Sequence, residues 1–169
     1  MGSLVSETDA QLFERMRDTA DAHLAHRPAR RRVLNWESAF AHLLAVRAQQ
    51  PFVWGASDCC LFAGDVIYAL RGEDPAWWFR GRYTDQRGAA RALREYSDGS
   101  TLESVAERIC AERAYAEIPA AFAQRGDLVL IETDAGDALG VQVDHRVAVQ
   151  GPAGVIITSD VRVRRAWAI

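Results

Sequence analysis

The chain has 169 residues, 49% hydrophobic and 25% charged, with a formal net charge of −3. That is enough for one compact domain with a sizeable core, and the mild acidity gives no electrostatic reason to expect a nucleic-acid partner. No apolar run approaches the ~20 residues of a membrane-spanning helix, so no membrane span is expected.

The first residues, Met1 to Glu7, have neither the basic start nor the apolar core of a secretory leader. Synthesis in the cytoplasm is therefore the expectation. From Thr8 to about His26, Leu12, Phe13, Met16, Ala20 and Leu24 recur at helical spacing and predict an amphipathic helix. Pro28 ends it, and Arg27 to Arg32 read as a solvated basic linker. Residues 1–34 are accordingly taken as a helical extension that serves as an interaction element, and 35–169 as the main domain.

Asn35 is placed to cap a second helix over Trp36, Phe40, Leu43, Leu44 and Val46. A third helix begins near Asp58 with Leu61, Phe62, Val66, Ile67 and Leu70 on its apolar side and stops at Gly72. The stretch from Gly72 to Thr84 is turn-rich, and Trp77, Trp78 and Phe79 in it could either cover core or line a groove. Arg80 to Tyr83 is read as positioning that loop through arginine hydrogen bonds. Two short helices follow over residues 86–96 and 102–113. After Pro119 five short strands are predicted, at 128–131, 139–143, 147–149, 155–157 and 165–169, with Gly, Asp and Pro turns between them. Helices first and strands afterwards make an α+β fold with a meandering antiparallel sheet.

Three cysteines, Cys59, Cys60 and Cys110, do not suggest a disulfide scaffold, and Cys59-Cys60 has no second ligand pair for zinc. No metal or cofactor is expected. In Trp54-Gly55-Ala56-Ser57-Asp58-Cys59, Gly55 permits a tight turn and Ser57 or Asp58 can cap the helix that follows. Cys59 then falls in the first helical turn, where free amides and the helix dipole favour a thiolate. The other reading open for Cys59 and Cys60 is a pair of small buried residues beneath a helix end. Cys110 shares a helical face with Leu102, Val105 and Ile109 and reads as core.

Pro51-Phe52-Val53-Trp54-Gly55 with Asp58-Cys59, followed by Arg125-Gly126-Asp127-Leu128-Val129 and Leu139-Gly140-Val141, resembles the NlpC-type, papain-like cysteine peptidases. Trp36, Gly72 to Pro75, Arg80 to Tyr83 and Ala166-Trp167 extend the likeness to a phage-tail-associated branch of that superfamily. The resemblance implies a papain-like NlpC-type fold with Cys59 as nucleophile and Trp54, Gly55 and Asp58 shaping the site. It also implies a place in a virion tail among tail proteins, or a peptidoglycan peptide as ligand. In active members a histidine opens the second strand, and the matching position here is Ala138. His145, in the hairpin beyond, is the substitute base to consider, and Gln150 falls near the third, orienting position. His23, His26 and His42 lie on the N-terminal helices. Two functions follow: a tail-tip or hub-associated protein impaired in catalysis, or an active peptidase or amidase that cuts peptidoglycan stem peptides. A cytoplasmic enzyme using Cys59 for acyl transfer or deamidation is a third.

Overall fold

The computed structural model describes Thr8, Gln11, Glu14, Arg15 and residues 30–99 and 101–169. The amphipathic helix expected from Thr8 to His26 therefore lies outside the described residues apart from Gln11, Glu14 and Arg15, which are helical; His23 and His26 lie outside as well.

Among the residues described from 30 onward, four α-helices come first: α1 (Trp36–Arg47), α2 (Cys59–Arg71), α3 (Gln86–Tyr96) and α4 (Leu102–Glu112). The strands are β1 (Glu117–Ile118), β2 (Leu128–Thr133), β3 (Gly136–Val143), β4 (Arg146–Gln150), β5 (Val155–Thr158) and β6 (Arg162–Trp167). They form one antiparallel sheet in the order β1-β6-β2-β3-β4-β5. The sheet thus has six strands rather than five. The extra one, β1, is only two residues long, ends at Pro119 and is held by pairing with Ala166 and Trp167. Two residues are too few to show an alternating pattern, so tertiary pairing alone makes them a strand.

Strand alternation divides the sheet's residues between two faces. Leu128, Leu130, Leu139, Val141, Val143, Ala148 and Trp167 meet Phe62, Val66 and Leu70 of α2 in the main core. Val129, Ile131, Val147, Val149 and Ala166 form a smaller cluster on the other face, packed with Ala138 and Val163. A third cluster, around Leu61, Phe79, Tyr83 and Ile109, joins α2 to the loop after it and to α4. Gly64 lets that loop approach α2, since a Cβ there would stand 2.4 Å from the Ala76 Cβ.

Two local expectations are corrected. Asn35 precedes α1 with a left-handed backbone, φ 60°, and its side chain makes no capping bond; its carbonyl instead accepts from the Ser38 and Ala39 amides at 3.1 and 3.2 Å. The basic segment is not all solvated linker. Arg30 grips both oxygens of Asp127 at 2.8 and 2.6 Å, and Arg32 reaches one of them at 3.1 Å and the Arg125 and Ile169 carbonyls at 2.7 and 2.8 Å. Asp127 is fully buried, so a buried carboxylate needing partners decides where these arginines go. Residues 30–34, assigned to the extension, are in this way bonded to the domain, with the Val33 amide on the Leu70 carbonyl at 2.8 Å.

Candidate functional site

The start of α2 is built by Asp58. Its carboxylate is buried and receives three donors: the Leu61 amide at 3.0 Å, the Gly55 amide at 2.8 Å and the Tyr83 hydroxyl at 2.8 Å. The first bond is a helix N-cap; the second closes the turn that delivers the chain to the helix; the third ties in the loop after α2. Ser57, the other capping candidate, donates instead to the Pro51 carbonyl at 2.5 Å.

Gly55 is required by both conformation and space. Its φ is +71°, and a Cβ would lie 2.0 Å from the Tyr83 carbonyl oxygen. Its own carbonyl accepts from the Gly81 amide at 2.9 Å. Trp54 is half-buried, edge-on to Phe52 with ring centres 4.8 Å apart and 6.4 Å from Tyr83. The loop before α2 is also strapped to the sheet: the Phe52 amide bonds the Pro152 carbonyl at 3.0 Å, and Gln150 Nε2 bonds the Gln50 carbonyl at 2.9 Å.

Cys59 is the first residue of α2, as the sequence predicts, and is partly exposed. Burial pushes its thiol from an ordinary 9.0 up to about 11, a backbone hydrogen bond from Leu139 works the other way, and the neighbouring Asp58 charge raises it further. The helix end does lend backbone hydrogen bonds that favour thiolate, but desolvation outweighs them. Cys60 and Cys110 are buried, with thiols also pushed up, chiefly by burial.

β3, whose backbone reaches Cys59, carries no histidine, and its one acid, Asp137, is paired with Arg164 at 2.7 Å. Leu139, whose backbone reaches the sulfur, lies one residue past the last β3–β4 pair, Gly140 with Val149. Ala138, where the resemblance would put the histidine, packs on the opposite face of the sheet from α2. His145 is exposed in the β3–β4 turn after Asp144, whose φ is +54°. β3 runs four residues on from Leu139 to Val143, roughly 13 Å at ~3.3 Å per residue, before the turn that holds His145. His145 thus stands at the turn end of the hairpin, away from Leu139. His42 is exposed on α1.

Gln150 does come to the site. The register continues from Gly140 and Val149 to set it opposite Leu139, and it alternates with Val149 onto the α2 face. It is buried; its Nε2 also bonds the Gly151 carbonyl at 3.1 Å, while Oε1 has no partner. It straps the pre-helix loop to β4 and cannot orient an imidazole that is absent.

Tyr83, read from the sequence only as part of the loop after α2, takes a direct part in the site. Its hydroxyl lies against Asp58 across 25 positions, and burial with nearby acidic groups pushes its pKa far up. Arg80 holds the same loop by bonds to Asp74 at 2.7 Å and Asp65 at 2.6 Å, as expected for an arginine there. Arg47, buried in α1, approaches Asp65 at 3.3 Å. Phe79 is core, Trp78 is half-buried against Phe79 and Tyr96, and Trp77 is 64% exposed. No cluster of three or more His, Cys, Asp or Glu suited to a metal occurs among the described residues, and no described helix is long and apolar enough to cross a membrane.

A family described as Domain of unknown function (DUF6950) matches residues 31–169. No curated protein matches the chain.

Proposed function

The chain belongs to the DUF6950 family, and we propose that it is a tail-tip or hub-associated protein of a phage or prophage, with an NlpC-type fold impaired in catalysis. One observation carries the second half of this reading. Cys59 opens a core helix against a sheet, where a papain-like nucleophile would stand, yet its thiol is raised to about 11 and the strand beside it offers Leu139 instead of an imidazole. A thiol without a general base forgoes roughly 10²–10⁴-fold in rate. Motifs shared with the peptidases keep their structural work: Asp58 caps and clamps, Gly55 turns, and Asp127 anchors the sheet to the amino-terminal arginines.

The tail setting rests on the order of short motifs from Trp36 to Ala166-Trp167. Antibody labelling and mass spectrometry of purified particles from the encoding element test it; the chain should be found in the tail fraction, and finding it only in the infected cell's soluble fraction refutes the setting. Incubation with purified peptidoglycan tests the catalytic half. No release of stem-peptide fragments is expected from wild type or Cys59→Ala. Release that Cys59→Ala abolishes would replace this reading with the peptidase or amidase one.

A further inference from the structure

Away from Cys59, α3 is sharply two-sided. Ala89, Ala92, Leu93 and Tyr96 face the protein, while Arg87, Arg91 and Arg94 are exposed on the opposite side. Spacings of four and three residues place the Cβ atoms of these arginines along one stripe, about 5–6 Å apart. Several arginines elsewhere are matched to carboxylates: Arg30 and Arg32 to Asp127, Arg80 to Asp65 and Asp74, Arg164 and Arg165 to Glu103. The α3 arginines are joined to no carboxylate among the described residues, although Glu95 lies one helical turn from Arg91, the usual pairing distance. Beside the stripe is a concavity of about 260 Å³ lined by Arg82, Asp85, Gly88, Arg91 and Glu95. Arg82 sits in it with its guanidinium 4.0 Å above the Trp78 ring.

We propose that this arginine stripe docks an acidic segment of a partner protein, with one carboxylate of that segment seated in the concavity between Arg82 and Arg91. The inference does not rest on the fate of Cys59. In a chain of net charge −3, an uncompensated cationic stripe steers a carboxylate-bearing partner to that face. Guanidinium groups bind carboxylates through two parallel bonds, and arginine with tryptophan is the composition of protein interfaces. The Asp85 and Glu95 carboxylates that also line the concavity favour a protein segment of mixed charge over a continuous polyphosphate, which they would repel.

The test is fluorescence anisotropy of the full chain with a synthetic helical peptide bearing glutamates at i, i+4 and i+7, at low and at physiological salt. Saturable binding that weakens as salt rises is expected. The triple replacement R87S, R91S and R94S should weaken it about tenfold or more, with an unchanged circular-dichroism melt. Replacing the same three residues with glutamate should transfer the preference to a lysine version of the peptide. If the triple variants lose their fold, R91S alone should still weaken binding severalfold. No saturable binding by the wild type, or equal binding by a folded triple variant, overturns the proposal. Tighter binding of a single-stranded oligonucleotide of equal charge also overturns it, by assigning the stripe to nucleic acid.

Discussion

Replacing Asp58 with alanine tests whether one carboxylate organises the start of α2. Its oxygens accept from Leu61, Gly55 and Tyr83 at 2.8–3.0 Å in a site that is 2% exposed. Losing the cap costs about 1 kcal/mol. The Gly55 amide and the Tyr83 hydroxyl are then left buried without partners, at about 1–3 kcal/mol each. Together these come to about 3–7 kcal/mol, against a total of ~5–15 kcal/mol for a domain of this kind. Asp58→Asn keeps the shape, and its amide oxygen can still serve Leu61, but its NH₂ faces the Gly55 N–H, donor to donor. A loss of about 1–3 kcal/mol is expected. Urea unfolding followed by circular dichroism and tryptophan fluorescence measures both. Combining Asp58→Asn with Tyr83→Phe should cost less than the sum of the two, because they share a bond. An Asp58→Ala loss below about 1 kcal/mol would refute the reasoning, since a cap alone could supply it.

Three other outcomes follow from the same geometry. Gly55→Ala and Gly81→Ala both place alanine at positive φ, but the first Cβ stands 2.0 Å from the Tyr83 carbonyl and the second meets nothing within 4 Å. The Gly81 variant should lose about 1–2 kcal/mol and the Gly55 variant clearly more in the same unfolding assay. The thiols should label slowly with iodoacetamide at neutral pH: with Cys59 at about 11 rather than 9.0, its thiolate fraction there is roughly a hundredfold lower. The sign for stability is fixed as well. A raised thiol pKa means the folded state holds its proton more tightly than the unfolded chain, so this contribution is full below 9.0 and is lost as pH rises through about 11. Labelling of Cys59 that levels off between pH 7 and 8 would contradict both statements. Finally, Asp127→Ala leaves Arg30 and Arg32 without their buried partner and should lower stability by about 3–5 kcal/mol, read as a drop in thermal midpoint.

The fold was legible where periodicity is local. The apolar spacing in residues 61–70 marks α2 because it repeats over three turns, and the strands near Leu128, Leu139, Val147 and Val155 show as short β-branched runs between turn residues. What escaped depends on partners distant in the chain. β1 exists because Trp167 and Ala166 pair with it. Arg30 and Arg32 look like a solvated basic run until Asp127, ninety-odd positions away, is seen to be buried. Tyr83 carries no local sign that its hydroxyl will meet Asp58. At the site, Asp58 as cap and Gly55 as turn were readable from a few adjacent residues, because capping and positive φ are local demands. The state of the Cys59 thiol was not, because it depends on what covers it.

That dependence decides what a cysteine at a helix start can do chemically. A cysteine at a helix start gains from free amides and the helix dipole only while desolvation of the thiolate stays small. Here the backbone of Leu139 closes on the sulfur from β3, with Asp58 fixed alongside. Leu139 contributes one hydrogen bond but no proton acceptor, and the Asp58 charge makes the anion still less favourable. Restoring a base would take more than replacing Ala138, because that side chain packs on the sheet face away from α2. On strand geometry Leu139 is the position from which an imidazole would face Cys59. Leu139→His should therefore lower the Cys59 labelling pKa by pairing the thiolate with an imidazolium, whereas Ala138→His should leave it unchanged. Equal effects from the two variants would show that β3 does not present its residues to Cys59 in this alternation.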